Sequence, residues 1–147
     1  MCSSDLGLLP WSPLGGGWLS GKYRRGQRPT GATRLGEDPN RGMEAYDRRG
    51  TDRTWQVIDA TAQVAEDRGV PMAEVAIAWV TARPGVSSTI LGARTTSQLD
   101  ANLRGAGLRL SPAETAALDA ASDPRPADYP YGELGVDQRA RTLPASH

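Results

Sequence analysis

The residue types that carry most metal-free hydrolysis and thiol chemistry are nearly missing from this chain. It has one cysteine, Cys2, and one histidine, His147. A Ser-His-Asp triad, a Cys-His pair, an internal disulfide framework and a zinc cluster are therefore all poorly supported. Two glycine-containing polar stretches remain. The first, Trp11-Ser12-Pro13-Leu14-Gly15-Gly16-Gly17-Trp18-Leu19-Ser20-Gly21-Lys22-Tyr23, follows a short apolar run. Taken alone, such a glycine triplet is more often a flexible hinge than a ligand-binding turn. In the second, Gly92-Ala93-Arg94 runs into Thr95-Thr96-Ser97-Gln98, which resembles a capping box.

The totals bound what could hold such residues in place. A chain of 147 residues can form one domain with a real core. Seventeen basic residues balance seventeen acidic ones, so charge gives no reason to propose nucleic acid as a partner. No apolar run approaches the roughly 20 residues of a membrane-spanning helix, and no secretory signal pattern opens the chain. The expected setting is the cytoplasm, with no nucleic acid and no membrane as partner. Residues 1–6 read as a non-native or disordered leader: Cys2-Ser3-Ser4-Asp5-Leu6 has neither a strand nor a helix pattern. On that reading Cys2 carries no meaning; the alternative is an ordinary frayed terminus.

The elements follow from pattern. Leu8, Leu9 and Trp11 make a short buried strand that Ser12-Pro13 and the glycines end. Residues 15–53 show no sustained period and read as one long loop with room for a helical turn. Trp55, Ile58, Ala62 and Ala65 recur at helical spacing, with Gly69 as the stop. Pro71 fits the first turn of a second helix, over 72–83, which is apolar nearly all round at Val75, Ala76, Ile77, Trp79 and Val80. Val86 to Leu91 reads as a second buried strand, closed by Gly92. A third helix runs from about Thr95 through Leu103. Ser111-Pro112-Ala113-Glu114 is a stronger capping box and opens a fourth helix that ends near Ser122. From Asp123 an extended tail follows. Strands alternating with helices argue for parallel α/β architecture, yet two strands cannot form a sheet buried on both faces.

These segments together resemble the aldo-keto reductase family. The Trp11–Tyr23 stretch looks like the family segment leaving the seventh barrel strand. Val75-Ala76-Ile77-Ala78-Trp79 resembles the helix before the last strand. Ile90-Leu91-Gly92-Ala93-Arg94-Thr95-Thr96-Ser97-Gln98-Leu99-Asp100-Ala101-Asn102-Leu103 resembles the eighth strand and its helix, and Leu110-Ser111-Pro112-Ala113-Glu114 with Leu118-Asp119 the closing helix. The resemblance implies an α/β fold, the C-terminal fragment of a (β/α)8 TIM barrel, with residues 7–122 supplying the last two strands and their helices. Residues 123–147 form the tail. Both glycine-containing stretches would then lie at the C-terminal ends of the strands, where such barrels keep their sites.

The same resemblance implies NADP as the cofactor and gives roles to particular residues. Trp11 takes the position of the aromatic residue that stacks on the nicotinamide; the alternative is a core tryptophan. Ser12, Leu14 and Gly16 match positions lining the pyrophosphate, and Lys22 a basic residue closing over it, the alternative for Lys22 being a solvated surface lysine. Arg94, after Gly92, is placed to pair with the 2′-phosphate that distinguishes NADP from NAD. Gln98 and Asn102 match adenosine-contacting positions, although the capping box competes for Gln98. Ala101 departs from relatives that carry Glu there, which bears on affinity. Arg34 falls where alignment through the loop is too loose to assign it a contact.

No segment matches the family's catalytic Asp, Tyr, Lys and His motifs, and Tyr23, Tyr46, Tyr129 and Tyr131 stand in no matching segment. No catalytic residue is therefore assigned, no metal is expected, and the chain alone is expected to be inactive, with weak or absent cofactor binding. The implied parent reduces a small-molecule aldehyde or ketone. A second reading is a regulatory NADP-binding subunit resembling the potassium-channel β-subunits. A third, a small helical DNA-binding unit, is opposed by zero net charge and by the apolar segment between its second and third helices. Val75, Trp79 and Ile90 are expected to present exposed apolar surface that favours aggregation. Neither the carbonyl substrate nor the oligomeric state is legible.

Overall fold

The computed structural model describes residues 7–31, 33–38, 42 and 45–124. The leader at 1–6, including Cys2, and most of the expected tail, with Tyr129, Tyr131 and His147, lie outside the described residues. The chain begins with an extended segment, passes through a 3₁₀ segment Gly15–Ser20, and continues into helices α1 (Arg34–Glu37), α2 (Tyr46–Arg49), α3 (Asp52–Arg68), α4 (Met72–Thr81), α5 (Thr96–Gly107) and α6 (Pro112–Ser122).

Local chemistry sets the helix ends. Thr51 caps α3 by accepting the Thr54 amide, and Gly69 ends it in the left-handed conformation at φ 65°. Pro71 stands at the N-cap of α4, one position outside the first turn expected for it. α4 also stops at Thr81 rather than at residue 83, ahead of a turn in which Gly85 takes φ 83°. Ser111 and Glu114 form the reciprocal box at the start of α6 as expected, with the Ser111 amide donating to Glu114 Oε2 at 2.6 Å. Arg68 on α3 reaches the same carboxylate through two nitrogens, each at 2.5 Å, so one glutamate both caps α6 and fastens it to α3.

Five successive residues of α4, Glu74 to Ala78, are buried, which is the many-sided burial its apolar sequence predicts. Val75 and Ile77 have no exposure at all. The expectation that Val75 presents open apolar surface therefore fails: it packs with Val64, Ala65 and Leu118, and Trp79 lies half-buried against the same cluster. Glu74 is the polar exception, and the Arg104 Nε from α5 meets it at 2.9 Å. Gly105 lets α5 approach closely, since a β-carbon there would come within 2.9 Å of the Glu74 Cα.

The long irregular stretch is more ordered than its sequence predicts. Trp18, Tyr23, Leu35, Trp55 and Ile58 form a second apolar cluster, with Leu19, Tyr46 and Met72 against it. Trp18 stacks on Tyr46 at 5.5 Å and meets Tyr23 and Trp55 edge-on at 5.2 and 5.7 Å. Aromatic residues too widely spaced to show a period converge only once the chain is folded.

The two segments expected as buried strands are extended and parallel but do not form strands. They meet at isolated bridges, Leu8 with Val86 and Trp11 with Ile90. Hydrogen bonds run from Leu8 N to Gly85 O, from Ser87 N to Leu8 O and from Ile90 N to Pro10 O, at 2.7 to 2.9 Å. Burial is where the expectation fails: Leu8, Leu9, Trp11 and Ile90 are all exposed. Among the described residues no further segment bridges to either one, so nothing there extends the pair into a sheet. Among those residues, too, no helix is long and apolar enough to cross a membrane.

Candidate functional site

The parallel pairing decides where the two glycine-containing stretches go. Because Leu8 faces Val86 and Trp11 faces Ile90 in the same chain direction, residues 12–22 and 92–95 leave from the same end of the pair. Ligands of parallel α/β proteins bind beyond the carboxyl ends of the strands, and this is the equivalent end here.

On the first stretch, Trp11 is 77% exposed, so it is not a core residue among the described ones. Ser12 follows with φ 56°, a left-handed backbone that a residue with a side chain rarely adopts. Gly15, Gly16 and Gly17 continue at φ 55°, 72° and 101°. The glycine triplet is thus required by a defined conformation and is not a loose hinge. Two of its amides, and that of Leu19, are consumed within the turn: Gly15 N binds Ser12 O, and Gly17 N and Leu19 N both bind Leu14 O. Gly16 is buried, its carbonyl accepting from the Tyr23 hydroxyl at 3.4 Å, and Leu14 is half-buried. Lys22 is exposed, on the rim of a recess of about 170 Å³ that Tyr23, Arg24, Gln27, Arg28 and Thr33 also line.

On the second stretch Thr95 caps α5, its hydroxyl accepting the Gln98 amide at 3.2 Å. The Gln98 side chain completes a variant of the expected box: its Oε1 accepts from Arg94 N at 2.9 Å, one residue further back than the N-cap. Asn102 is buried and donates from Nδ2 to Gly92 O at 3.2 Å. Gln98 and Asn102 therefore hold the Gly92–Arg94 turn onto α5, and those two atoms are committed to the backbone. The Arg94 side chain is left 62% exposed, with Glu37 Oε2 at 3.9 Å from its Nη2.

The structure thus gathers Gly92, Arg94, Gln98 and Asn102 into one turn, and directs the segment that holds Trp11, Ser12, Leu14 and Gly16 away from the same end. Lys22 stands apart, on the recess. Arg24, Arg28 and Glu37 enter these surroundings without having been singled out in the sequence. Their neighbours are set by tertiary packing of the loop, and no local spacing announces them. No group of three or more His, Cys, Asp or Glu suited to a metal occurs among the described residues.

Two carboxylates away from this end have proton affinities set by partners. The Arg68 guanidinium, with help from the Ser111 amide and hydroxyl, holds the Glu114 carboxyl down at about 2. The Trp79 indole N–H, at 2.7 Å, and then Arg83 keep Asp119 below the usual carboxylate range. Both fasten α6 to the helices beside it and have a structural role.

Comparison with known proteins gives the family. Residues 1–123 match the sequence profile of the Aldo/keto reductase family. A probable voltage-gated potassium channel subunit beta from Arabidopsis thaliana is 35% identical over 103 residues, covering 67% of this chain and 29% of the relative. The protein Tas of Escherichia coli is 35% identical over 113 residues, 77% of this chain and 31% of the relative. An aldo-keto reductase of Alternaria alternata is 33% identical over 129 residues, 88% of this chain and 32% of the relative. The chain belongs to the aldo/keto reductase family, a family of nicotinamide-dependent oxidoreductases with the TIM-barrel fold. It spans about a third of the length of the curated relatives it matches.

Proposed function

We propose that these residues are the cofactor-binding, C-terminal part of an NADP(H)-dependent aldo-keto reductase, contributing the last two strands of the barrel and their helices. The observation that carries the reading is the parallel pairing of Trp11 with Ile90, which sends Ser12–Lys22 and Gly92–Thr95 off at one end. The residues present fit such a cofactor. Trp11 offers an uncovered aromatic face, and Arg94 offers an exposed guanidinium at the start of a helix of twelve residues.

Bound there, the cofactor would supply the hydride that reduces an aldehyde or ketone. Trp11 would hold the nicotinamide flat, leaving one face open. Ser12, Leu14 and Gly16 would line the pyrophosphate, with Lys22 as a cation beside it. Arg94 would take the 2′-phosphate through its planar fork, on a turn held still by Gln98 and Asn102. No segment of the 147 residues resembles the family's catalytic motifs, so on this reading they turn over no carbonyl substrate by themselves and bind cofactor weakly at best. The setting is cytoplasmic, and the partner is a small carbonyl compound, not nucleic acid or membrane.

Ligand-detected NMR with NADP⁺ and NAD⁺ at millimolar concentration tests the cofactor. NADP⁺ is expected to give the stronger transfer, and Arg94→Gln to abolish the difference. Equal signals from both, or a preference untouched in Arg94→Gln, would sink the reading. NADPH consumption by the purified chain with a generic aldehyde would overturn the claim that it is inactive alone.

The potassium-channel β-subunit relatives support a second reading, in which cofactor binding serves regulation. Failure of the protein to associate with any potassium-channel polypeptide in a binding assay removes it.

A further inference from the structure

Among the described residues Arg94 meets an acidic side chain, Glu37, that comes from a distant part of the chain. Glu37 lies on α1, inside the stretch that sequence alone reads as loop. Two anchors fix α1 where it is. Leu35, wholly buried, plugs into the cluster of Trp18, Tyr23, Trp55 and Ile58, and Thr33 caps the helix by accepting the Gly36 amide at 3.0 Å. Arg94 is anchored from the other side by the bond of its amide to Gln98. Two fixed backbones therefore face each other with one acid and one base between them.

Their separation of 3.9 Å exceeds a hydrogen bond, and both side chains are more than half exposed. The attraction is purely electrostatic and is weakened by solvent. A partner of this kind neutralises the guanidinium without locking it. Two other cations of the same irregular stretch have acidic partners of their own: Arg25 pairs with Asp52 and Asp59, and Arg28 with Asp47.

The geometry points to Glu37 as an internal competitor for Arg94, a counter-ion that a ligand's 2′-phosphate must displace and that therefore sets how strongly the site selects that phosphate. The inference rests on the reading of Arg94 given above. A phosphate dianion outbids a carboxylate for a guanidinium because it carries more charge and can bind through two oxygens. A ligand without the phosphate leaves the Glu37–Arg94 pair in place. Since Leu35 holds α1, only the Glu37 side chain needs to turn outward when the phosphate arrives. Glu37 is thus a positioning residue acting through Arg94.

The test compares 2′,5′-ADP with 5′-AMP as probes, titrated by ligand-detected NMR into the wild-type chain, Glu37→Gln, Arg94→Gln and the double variant. Removing the competitor should tighten 2′,5′-ADP by about two- to fivefold, the range of an exposed charge pair, and leave 5′-AMP unchanged. In the Arg94→Gln background the same change should do nothing, and in wild-type background its effect should shrink at high salt. Loss of helix α1 for structural reasons would not produce a ligand-selective, salt-sensitive gain. If Arg94→Gln lowers the preference for 2′,5′-ADP but Glu37→Gln leaves or weakens it, the competitor role falls and the cofactor reading stands. If Arg94→Gln changes nothing, both fall; if neither probe binds, the competitor role falls and the cofactor reading, which expects weak or absent binding by the chain alone, stands.

Discussion

The close approach of α4 and α5 makes a prediction whose sign is set by geometry. Gly105 and Gly107 both lie in α5, and neither has the positive φ that would reserve its position for glycine. Helix propensity alone favours alanine over glycine by about 1 kcal/mol, so both substitutions should stabilise. Packing divides them. A β-carbon at Gly105 would stand 2.9 Å from Glu74 Cα, 3.0 Å from Glu74 O and 3.1 Å from Ile77 Cβ. None of these atoms can rotate away, because two are backbone and the third belongs to a residue with no exposure. The helices must part, and overpacking of this kind costs about 1–3 kcal/mol. A β-carbon at Gly107 meets nothing within 4 Å. Gly105→Ala should therefore lose about 1 kcal/mol net, and Gly107→Ala gain about 0.5 kcal/mol at the fraying helix end. The two should differ by roughly 1.5 kcal/mol, read as separate urea midpoints in far-UV circular dichroism with a shared slope. Gly105→Ala as stable as Gly107→Ala would refute the packing argument.

Two further outcomes follow from the clusters and the cap. Trp18→Ala removes the ring that joins Tyr23, Tyr46 and Trp55, and a buried tryptophan lost this way costs about 3–5 kcal/mol. Near-UV dichroism should collapse while most far-UV helix signal persists; an unchanged near-UV spectrum would contradict the cluster. Glu114 is harder to protonate in the folded state, at about 2 against an ordinary 4.5. Its contribution is complete above the unfolded value and is lost as pH falls from there through about 2, so Glu114→Gln should flatten the acid limb of the urea midpoint in that window. An acid limb identical to wild type would show that other carboxylates set it.

The sequence made some of these features legible and hid others for physical reasons. The four longer helices could be read because each carries punctuation within a few residues: Gly69 after α3, Pro71 before α4, Thr95 with Gln98 at α5 and Ser111 with Glu114 at α6, whereas the Thr51 cap of α3 shows only in the structure. The two extended segments were legible as a parallel pair. Their exposure was not, since burial depends on what else covers Leu8 and Trp11 and not on their own apolarity. The candidate residues at 92–102 could be located by motif, yet the commitment of Asn102 to Gly92 O is a fact of the folded turn. Glu37 was invisible because nothing in its neighbourhood of sequence points to Arg94. The glycine triplet shows the opposite case: a composition that suggests looseness encodes three consecutive left-handed residues.

Met72 packs against both apolar clusters, the aromatic one around Trp18 and the aliphatic one around Val75. The two cores are in this sense separate rooms with a shared door. The helical room draws on α3, α4 and α6, and the aromatic room on the irregular stretch and the first half of α3. Amide exchange should then report two opening free energies in place of one, with Tyr23 and Leu35 exchanging through a local event that leaves Val75 and Ile77 protected. On that outcome the surface that carries Lys22 and Glu37 opens without the helical scaffold coming apart.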